Sequence, residues 1–272
     1  MKIGIFDSGF GGLDIFRHIE KAMPEYDFIY LGDNARTPYG SRSQETIYKY
    51  VIEAVDFLFD KDCQLILLAC NTASAEALRK IQQEYLPEKY PNRRVLGVVI
   101  PAIEEAVEKT KNKKIGIIGT ESTVRSNAFL NELAKKDSKI KVFQKACPLL
   151  VPIVESDEKD TRIINFALTN YLKPLISKNI DTLVLGCTHY GILKKNIQSI
   201  LKKSGKKISI ISEGEVVAGK LANYLIRHSE IEKVLSKNSA REFYTTDLTE
   251  KFQKIGSKLI GRKIEVKKVF LG

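Results

Sequence analysis

Leu65-Ile66-Leu67-Leu68-Ala69-Cys70-Asn71-Thr72-Ala73-Ser74 and Leu183-Val184-Leu185-Gly186-Cys187-Thr188-His189-Tyr190-Gly191 are the two stretches that decide the fold. In each, a short apolar run gives way at a cysteine to a cluster of small polar residues. A parallel strand buried on both faces reads as such a run, and open α/β sheets bind their ligands at the carboxyl ends of their strands. Both thiols are therefore expected to point into binding crevices. A single thiol in that setting would indicate a nucleophile, whereas a matched pair indicates a site with one thiol on each face of a substrate.

Outward from these segments, apolar runs alternate with helical periods. Strands are predicted near 2–6, 27–31, 64–69, 94–99, 114–118, 182–186 and 208–211, with 242–245 and 263–270 as late strands. Alternation of this kind specifies βαβ units and parallel sheets. Ser43 is read as the cap of a helix to about Asp60, Ser74 as the cap of Ala75 to Tyr85, and Thr120-Glu121-Ser122 as the start of a helix ending near Lys136. Lys2-Ile3-Gly4-Ile5-Phe6 recurs as Lys114-Ile115-Gly116-Ile117-Ile118, and Cys70 recurs as Cys187 at nearly the same spacing. The repeat predicts an α/β protein of two pseudo-symmetric lobes, each a mostly parallel sheet flanked by helices, with the active site between them. The first lobe is assigned to 1–98, completed by 208–272, and the second to 99–207.

Composition narrows the partners. The 272 residues are 43% hydrophobic and 28% charged, enough chain and apolar content for real cores. The start, Met1-Lys2-Ile3-Gly4-Ile5-Phe6-Asp7, has no extended apolar segment, and no run approaches membrane-spanning length, so neither a signal peptide nor a membrane is expected. Four cysteines (63, 70, 147, 187), none spaced as Cys-x-x-Cys, fit a reducing cytoplasm. The formal charge of +11 is scattered, thickening only at Lys109 to Lys114 and Lys194 to Lys207. These are read as a loop and the solvated face of a helix, because no interleaved aromatic residues or nucleic-acid-binding motif accompany them. No nucleic acid is required, although an anionic small substrate would benefit from the field.

Asp7-Ser8-Gly9-Phe10-Gly11-Gly12 follows the first strand and opens a helix. It fails as a dinucleotide loop, with Asp14 where the third glycine belongs, and no Gly-Lys-Ser/Thr supplies a phosphate lysine. The residues alone leave two readings: a loop where a ligand approaches the backbone and Asp7 binds an ammonium or orients a base, or a tight turn that Asp7 caps. Cys70-Asn71-Thr72 and Cys187-Thr188-His189 join a thiol to donors suited to a carboxylate. With a reference pKa of about 8.5, a thiol needs help from helix N-termini or a histidine to ionise near neutrality. His189 shares the Cys187 loop. His18, His228, Cys63 and Cys147 are read as structural, and no zinc-like spacing supports a metal. Pro38-Tyr39-Gly40 is either a third wall of the crevice or a plain turn.

At these residues the chain closely resembles the glutamate racemases, members of the cofactor-independent aspartate/glutamate racemase family. The likeness rests on Asp7-Ser8-Gly9 with Gly11-Gly12-Leu13, Pro38-Tyr39-Gly40, Cys70-Asn71-Thr72-Ala73, Cys147-Pro148 leading to Glu155, and Gly186-Cys187-Thr188-His189-Tyr190. Phe243-Tyr244-Thr245-Thr246 extends it towards the end. Phe10 and Ser122 stand where the family often has other residues, and neither is expected to bear on the chemistry. The resemblance implies interconversion of L- and D-glutamate without pyridoxal phosphate or another cofactor, supply of D-glutamate for peptidoglycan, and a homodimer. It implies Cys70 and Cys187 as the acid/base pair, Asp7 assisting Cys70, and His189 with Glu155 assisting Cys187. Asp7, Ser8, Pro38, Tyr39, Gly40, Asn71, Thr72, Thr188 and His189 match substrate-contacting motifs, and Thr120 and Thr123 are further carboxylate contacts. Rival readings are an aspartate racemase, a related two-cysteine isomerase or decarboxylase, a non-catalytic amino-acid sensor, and a thiol hydrolase with a single nucleophile.

Overall fold

The computed structural model describes all 272 residues. Its strands are β1 (Lys2–Asp7), β2 (Phe28–Gly32), β3 (Cys63–Leu68), β4 (Arg94–Gly97), β5 (Lys114–Gly119), β6 (Lys141–Ala146), β7 (Thr182–Gly186), β8 (Ser209–Ile211), β9 (Arg241–Thr245) and β10 (Val266–Lys268). They form a 6-stranded sheet in the order β10-β9-β2-β1-β3-β4 and a 4-stranded sheet in the order β6-β5-β7-β8. Every pairing is parallel. The run β2-β1-β3-β4 in the first sheet has the same order as β6-β5-β7-β8 in the second, so the sequence repeat is a repeat of topology. Register agrees as well: Gly4 pairs with Ile66 and Gly116 with Leu183, which puts Cys70 and Cys187 at the same distance past equivalent residues.

Period-two alternation sorts side chains onto the two faces of each sheet. On β1, Ile3 and Ile5 enter a core shared with the helices Gly12–Ala22 and Glu213–Arg227, while Phe6 faces the helix Gln44–Asp60 on the other side. On β5, Ile118 joins that shared core, and Ile115 and Ile117 pack under the helices Val99–Lys109 and Ala128–Lys136. The shared core draws apolar residues from both sheets, and the helices Gly12–Ala22 and Glu213–Arg227 pack along each other within it.

Three expectations need correction. β8 pairs with β7, so residues 209–211 complete the second sheet, and the chain returns to the first only at β9; the three-residue strand is an edge that only β7 holds. The sequence reading also passed over β6, whose lysines at 141 and 145 suit a half-exposed edge strand and break the apolar run that marks an interior one. The helix read from Ser74 starts earlier, at Asn71, and Ser74 lies inside it, donating to Leu68 O at 2.7 Å. The lysine-rich stretch Lys194–Lys203 is a helix that buries Ile197 and Leu201, as its amphipathic pattern requires.

Candidate active site

Cys70 ends the β3 segment and stands at the N-terminus of the helix Asn71–Glu76, and Cys187 ends the β7 segment before the short 3-10 turn Thr188–Gly191. Both line a single cavity of about 240 Å³. Its wall also carries Ser8, Pro38, Tyr39, Gly40, Asn71, Thr72, Thr120, Thr188 and His189, so the loops of both sheets contribute. No group of three or more His, Cys, Asp or Glu side chains is placed to hold a metal ion.

The two thiols differ in their surroundings. Cys70 lies 3.4 Å from the Ser8 hydroxyl, and burial, reinforced by the charge of Asp7, pushes its thiol up to about 12. The Cys187 sulfur lies 3.8 Å from His189 Nδ1, while His189 Nε2 meets Glu155 Oε1 at 2.6 Å. Burial alone would disfavour the imidazolium. The hydrogen bonds and charges of Cys187 and Glu155 outweigh it and hold His189 well above its usual range. Phe10 packs its ring against His189 at a centroid distance of 5.4 Å, so this departure from the family pattern does touch the site.

Three predicted residues stand behind the wall rather than on it. Asp7 is fully buried, accepting from Gly9 N at 3.0 Å and from the Thr188 hydroxyl at 3.3 Å, and burial raises its carboxyl above the usual range. Glu155 reaches the site only through His189. Thr123 donates its backbone N–H to Thr120 Oγ1 at 3.2 Å, and its hydroxyl is shared with Thr120 at 2.9 Å and Thr72 at 3.3 Å; capping the turn withdraws it from the cavity. Thr72 and Thr120 meet at 2.9 Å across the gap between the sheets' loops. The Tyr39 hydroxyl donates to Asp33 Oδ2.

Close approach explains two of the glycines. A Cβ on Gly11 would stand 2.5 Å from Thr188 Oγ1 and 2.8 Å from His189 Nδ1, and one on Gly40 would stand 2.6 Å from Thr120 Cβ. Gly11 is thus bare for the opposing loop, rather than for a ligand as the sequence reading allowed. That reading also took the Asn71 amide as a donor for a carboxylate. One N–H of its Nδ2 goes to Glu213 Oε2 at 2.7 Å, which fixes the orientation of the amide. Glu213 went unnoticed because its partner is distant in the chain and no motif surrounds it. Cys147, read as structural, lines the cavity with Pro148, Val151 and Pro152; the Cys147-Pro148 motif was the available signal.

With this geometry in hand, comparison with known proteins is decisive. A model of Asp/Glu/hydantoin racemases matches residues 3–221. The chain belongs to the Asp/Glu/hydantoin racemase family. Within that racemase family it is similar to the glutamate racemase of Persephonella marina, at 38% identity over 272 residues, covering 100% of this chain and 98% of the relative. The crystal structure of a Bacillus anthracis glutamate racemase isoform superposes with a TM-score of 0.90 at 36% identity, over 99% of this chain and 97% of that one. A Francisella tularensis glutamate racemase solved in complex with D-glutamate gives a TM-score of 0.88 at 31% identity, over 99% and 97% of the two chains.

Proposed function

We propose that this chain interconverts L- and D-glutamate by removing the Cα proton with one of Cys70 and Cys187 and returning a proton from the other. The observation that carries the reading is that thiols at equivalent strand ends of two sheets line one cavity. Full-length similarity to glutamate racemases supports glutamate over aspartate. In the resting site the buried Cys70 thiol, pushed to about 12, is the proton donor, and Cys187 lies 3.8 Å from His189 on the opposite side of the pair. Each turnover moves the Cα proton onto one sulfur and a proton from the other sulfur onto the opposite face of Cα, so the two thiols exchange roles with direction.

Two sulfurs flanking one carbon belong roughly 6–7 Å apart in the closed complex, since reacting atoms must approach within about 3–3.5 Å. Acid–base catalysis contributes about 10²–10⁴-fold, and the rest falls to positioning and to donors facing the carboxylate as its charge grows. Ser8, Asn71, Thr72, Thr120, Thr188 and His189 with Pro38, Tyr39 and Gly40 are assigned to substrate contact. Thr123 supports Thr72 and Thr120, while Asp7 tunes Cys70 and Glu155 holds His189. Thiol chemistry of this kind needs no cofactor.

Incubation in D2O tests the reading. Either enantiomer of glutamate should gain α-deuterium as it racemises, and Cys70→Ser and Cys187→Ser should each lose turnover by at least about 10²-fold. Binding of glutamate without exchange would leave a sensor. Turnover of aspartate alone would move the substrate, and one silent cysteine variant would indicate a single-nucleophile reaction.

The same proposal places the product, D-glutamate, in peptidoglycan synthesis and the chain in the cytoplasm, where its four free thiols stay reduced. No helix is long and apolar enough to cross a membrane. A homodimer completes it, supported by the exposed Ile163 and Phe166, one helical turn apart on the helix Thr161–Ser177. Light scattering that gives a monomer mass at micromolar concentration would remove that part alone.

A further inference from the structure

Glu213 is the first residue of the helix Glu213–Arg227, which continues from the second sheet, yet its side chain crosses to the residue that follows Cys70. It is 4% exposed and Asn71 is 2% exposed. Glu213 Oε2 accepts from Asn71 Nδ2 at 2.7 Å, and Asn71 Oδ1 has no partner anywhere in the protein. Asn71 nevertheless lines the cavity that holds both thiols. An amide has two faces, donor and acceptor, and which of them meets a ligand decides whether the site favours a carboxylate or an ammonium there.

We propose that Glu213 is a positioning residue: by binding the Asn71 NH2 group it fixes the amide with its carbonyl oxygen reserved for the α-ammonium of the substrate, beside Cys70. The inference rests on the reading of the cavity as an amino-acid racemisation site and adds to it the group that orients one of its walls. Placing the ammonium by an acceptor next to Cys70 also places the Cα–H bond relative to that sulfur. An amide free to rotate would offer its NH2 to the ammonium in part of the population and repel it.

The state of the carboxyl fits this duty. Burial holds Glu213 well above the usual carboxylate range against the opposing pull of the Asn71 hydrogen bond, and the nearby charge of Asp7 pushes the same way as burial. A neutral carboxyl still accepts through its carbonyl oxygen, and a glutamine side chain reproduces that acceptor.

The test compares the wild type with Glu213→Leu and Glu213→Gln, using each enantiomer of glutamate as substrate and glutarate as a competitive inhibitor. Glutarate keeps both carboxylates and lacks the ammonium. For Glu213→Leu the expected result is a KM about tenfold higher for both enantiomers, with the Ki of glutarate unchanged. Glu213→Gln should recover most of that loss. Equal weakening of glutamate and glutarate would mean that Asn71 faces a carboxylate, and would overturn the proposal. So would a Glu213→Gln variant as impaired as the leucine one, a fall in kcat with KM unchanged, or a leucine variant indistinguishable from wild type. If the leucine variant does not fold by circular dichroism, Glu213→Ala, which leaves space instead of filling it, carries the same comparison. Absence of glutamate turnover in the wild type would instead sink the racemase reading itself, so the two failures are distinct.

Discussion

The two thiols are equivalent in topology and unequal in electrostatics, and the inequality is what a two-base reaction uses. In the proposed two-base reaction the donor sulfur must hold its proton at rest. Burial and Asp7 keep Cys70 protonated, whereas His189, held toward imidazolium by Cys187 and Glu155, stands against the other sulfur. Iodoacetamide, which attacks thiolates, should therefore leave Cys70 largely unlabelled in the ligand-free protein at pH 8, as read by peptide mass spectrometry. Cys70 should gain reactivity only as the pH climbs toward its value of about 12, with Cys147, also pushed to about 12 by burial, similarly slow. Preferential labelling of Cys70 would overturn its assignment as the resting donor. At this scale the sequence displayed the thiols and the polar residues around them, because each cluster is contiguous. It hid Glu213, whose meaning comes from an amide on a distant segment.

Among the elements, strands were legible where their apolar runs are uninterrupted. β6 carries lysines and does not show as a strand, while β8 does, but its three residues do not reveal which sheet it joins. The helix expected from Thr120 to Lys136 is broken at Asn127, whose backbone is left-handed at φ 54°, a conformation asparagine tolerates. One carboxylate ties down the return of the chain to the first sheet alongside the β2–β9 pairing. Asp27, immediately before β2, accepts from Asn238 N at 2.9 Å, Asn238 Nδ2 at 2.8 Å and Ala240 N at 2.8 Å, just ahead of β9. Burial opposes its ionisation, but these bonds and that of Ser236 prevail and lower its pKa from 3.8 to about 2. A depressed carboxylate contributes stability above its unfolded value that disappears as the pH falls through the folded one. Asp27→Asn should accordingly cost on the order of 2 kcal/mol at pH 7. The gap between variant and wild type should close between about pH 4 and pH 2 in urea melts. A gap that persists at pH 2 would show that shape, not charge, holds the junction.

For the molecule as a whole, the decisive dimension is the separation of the two strand-end loops, because the proposed reaction requires both thiols to reach one carbon. Gly11 and Gly40 set it by contact: the backbone of the first sheet's loops lies directly on Thr188, His189 and Thr120 of the second's. A methyl group at Gly11 has no room, since the atoms it would meet include the His189 backbone nitrogen at 3.0 Å, which cannot swing aside as a side chain can. Gly11→Ala should move the Cys187–His189 loop away from Cys70, and a misplacement of about 1 Å is expected to cost on the order of 10²-fold in kcat/KM. Enantiomers have equal free energies, so the loss must be the same in both directions. Polarimetry from each enantiomer checks that equality, and circular dichroism melting separates it from an overpacking penalty of about 1–3 kcal/mol. Gly219 provides the contrast: it lies in the helix Glu213–Arg227 with no atom within 4 Å of a Cβ placed there. Gly219→Ala should leave turnover intact and raise stability by up to about 1 kcal/mol, through helix propensity alone. If Gly11→Ala also kept full activity, the spacing of the loops would not be what sets the distance between the thiols.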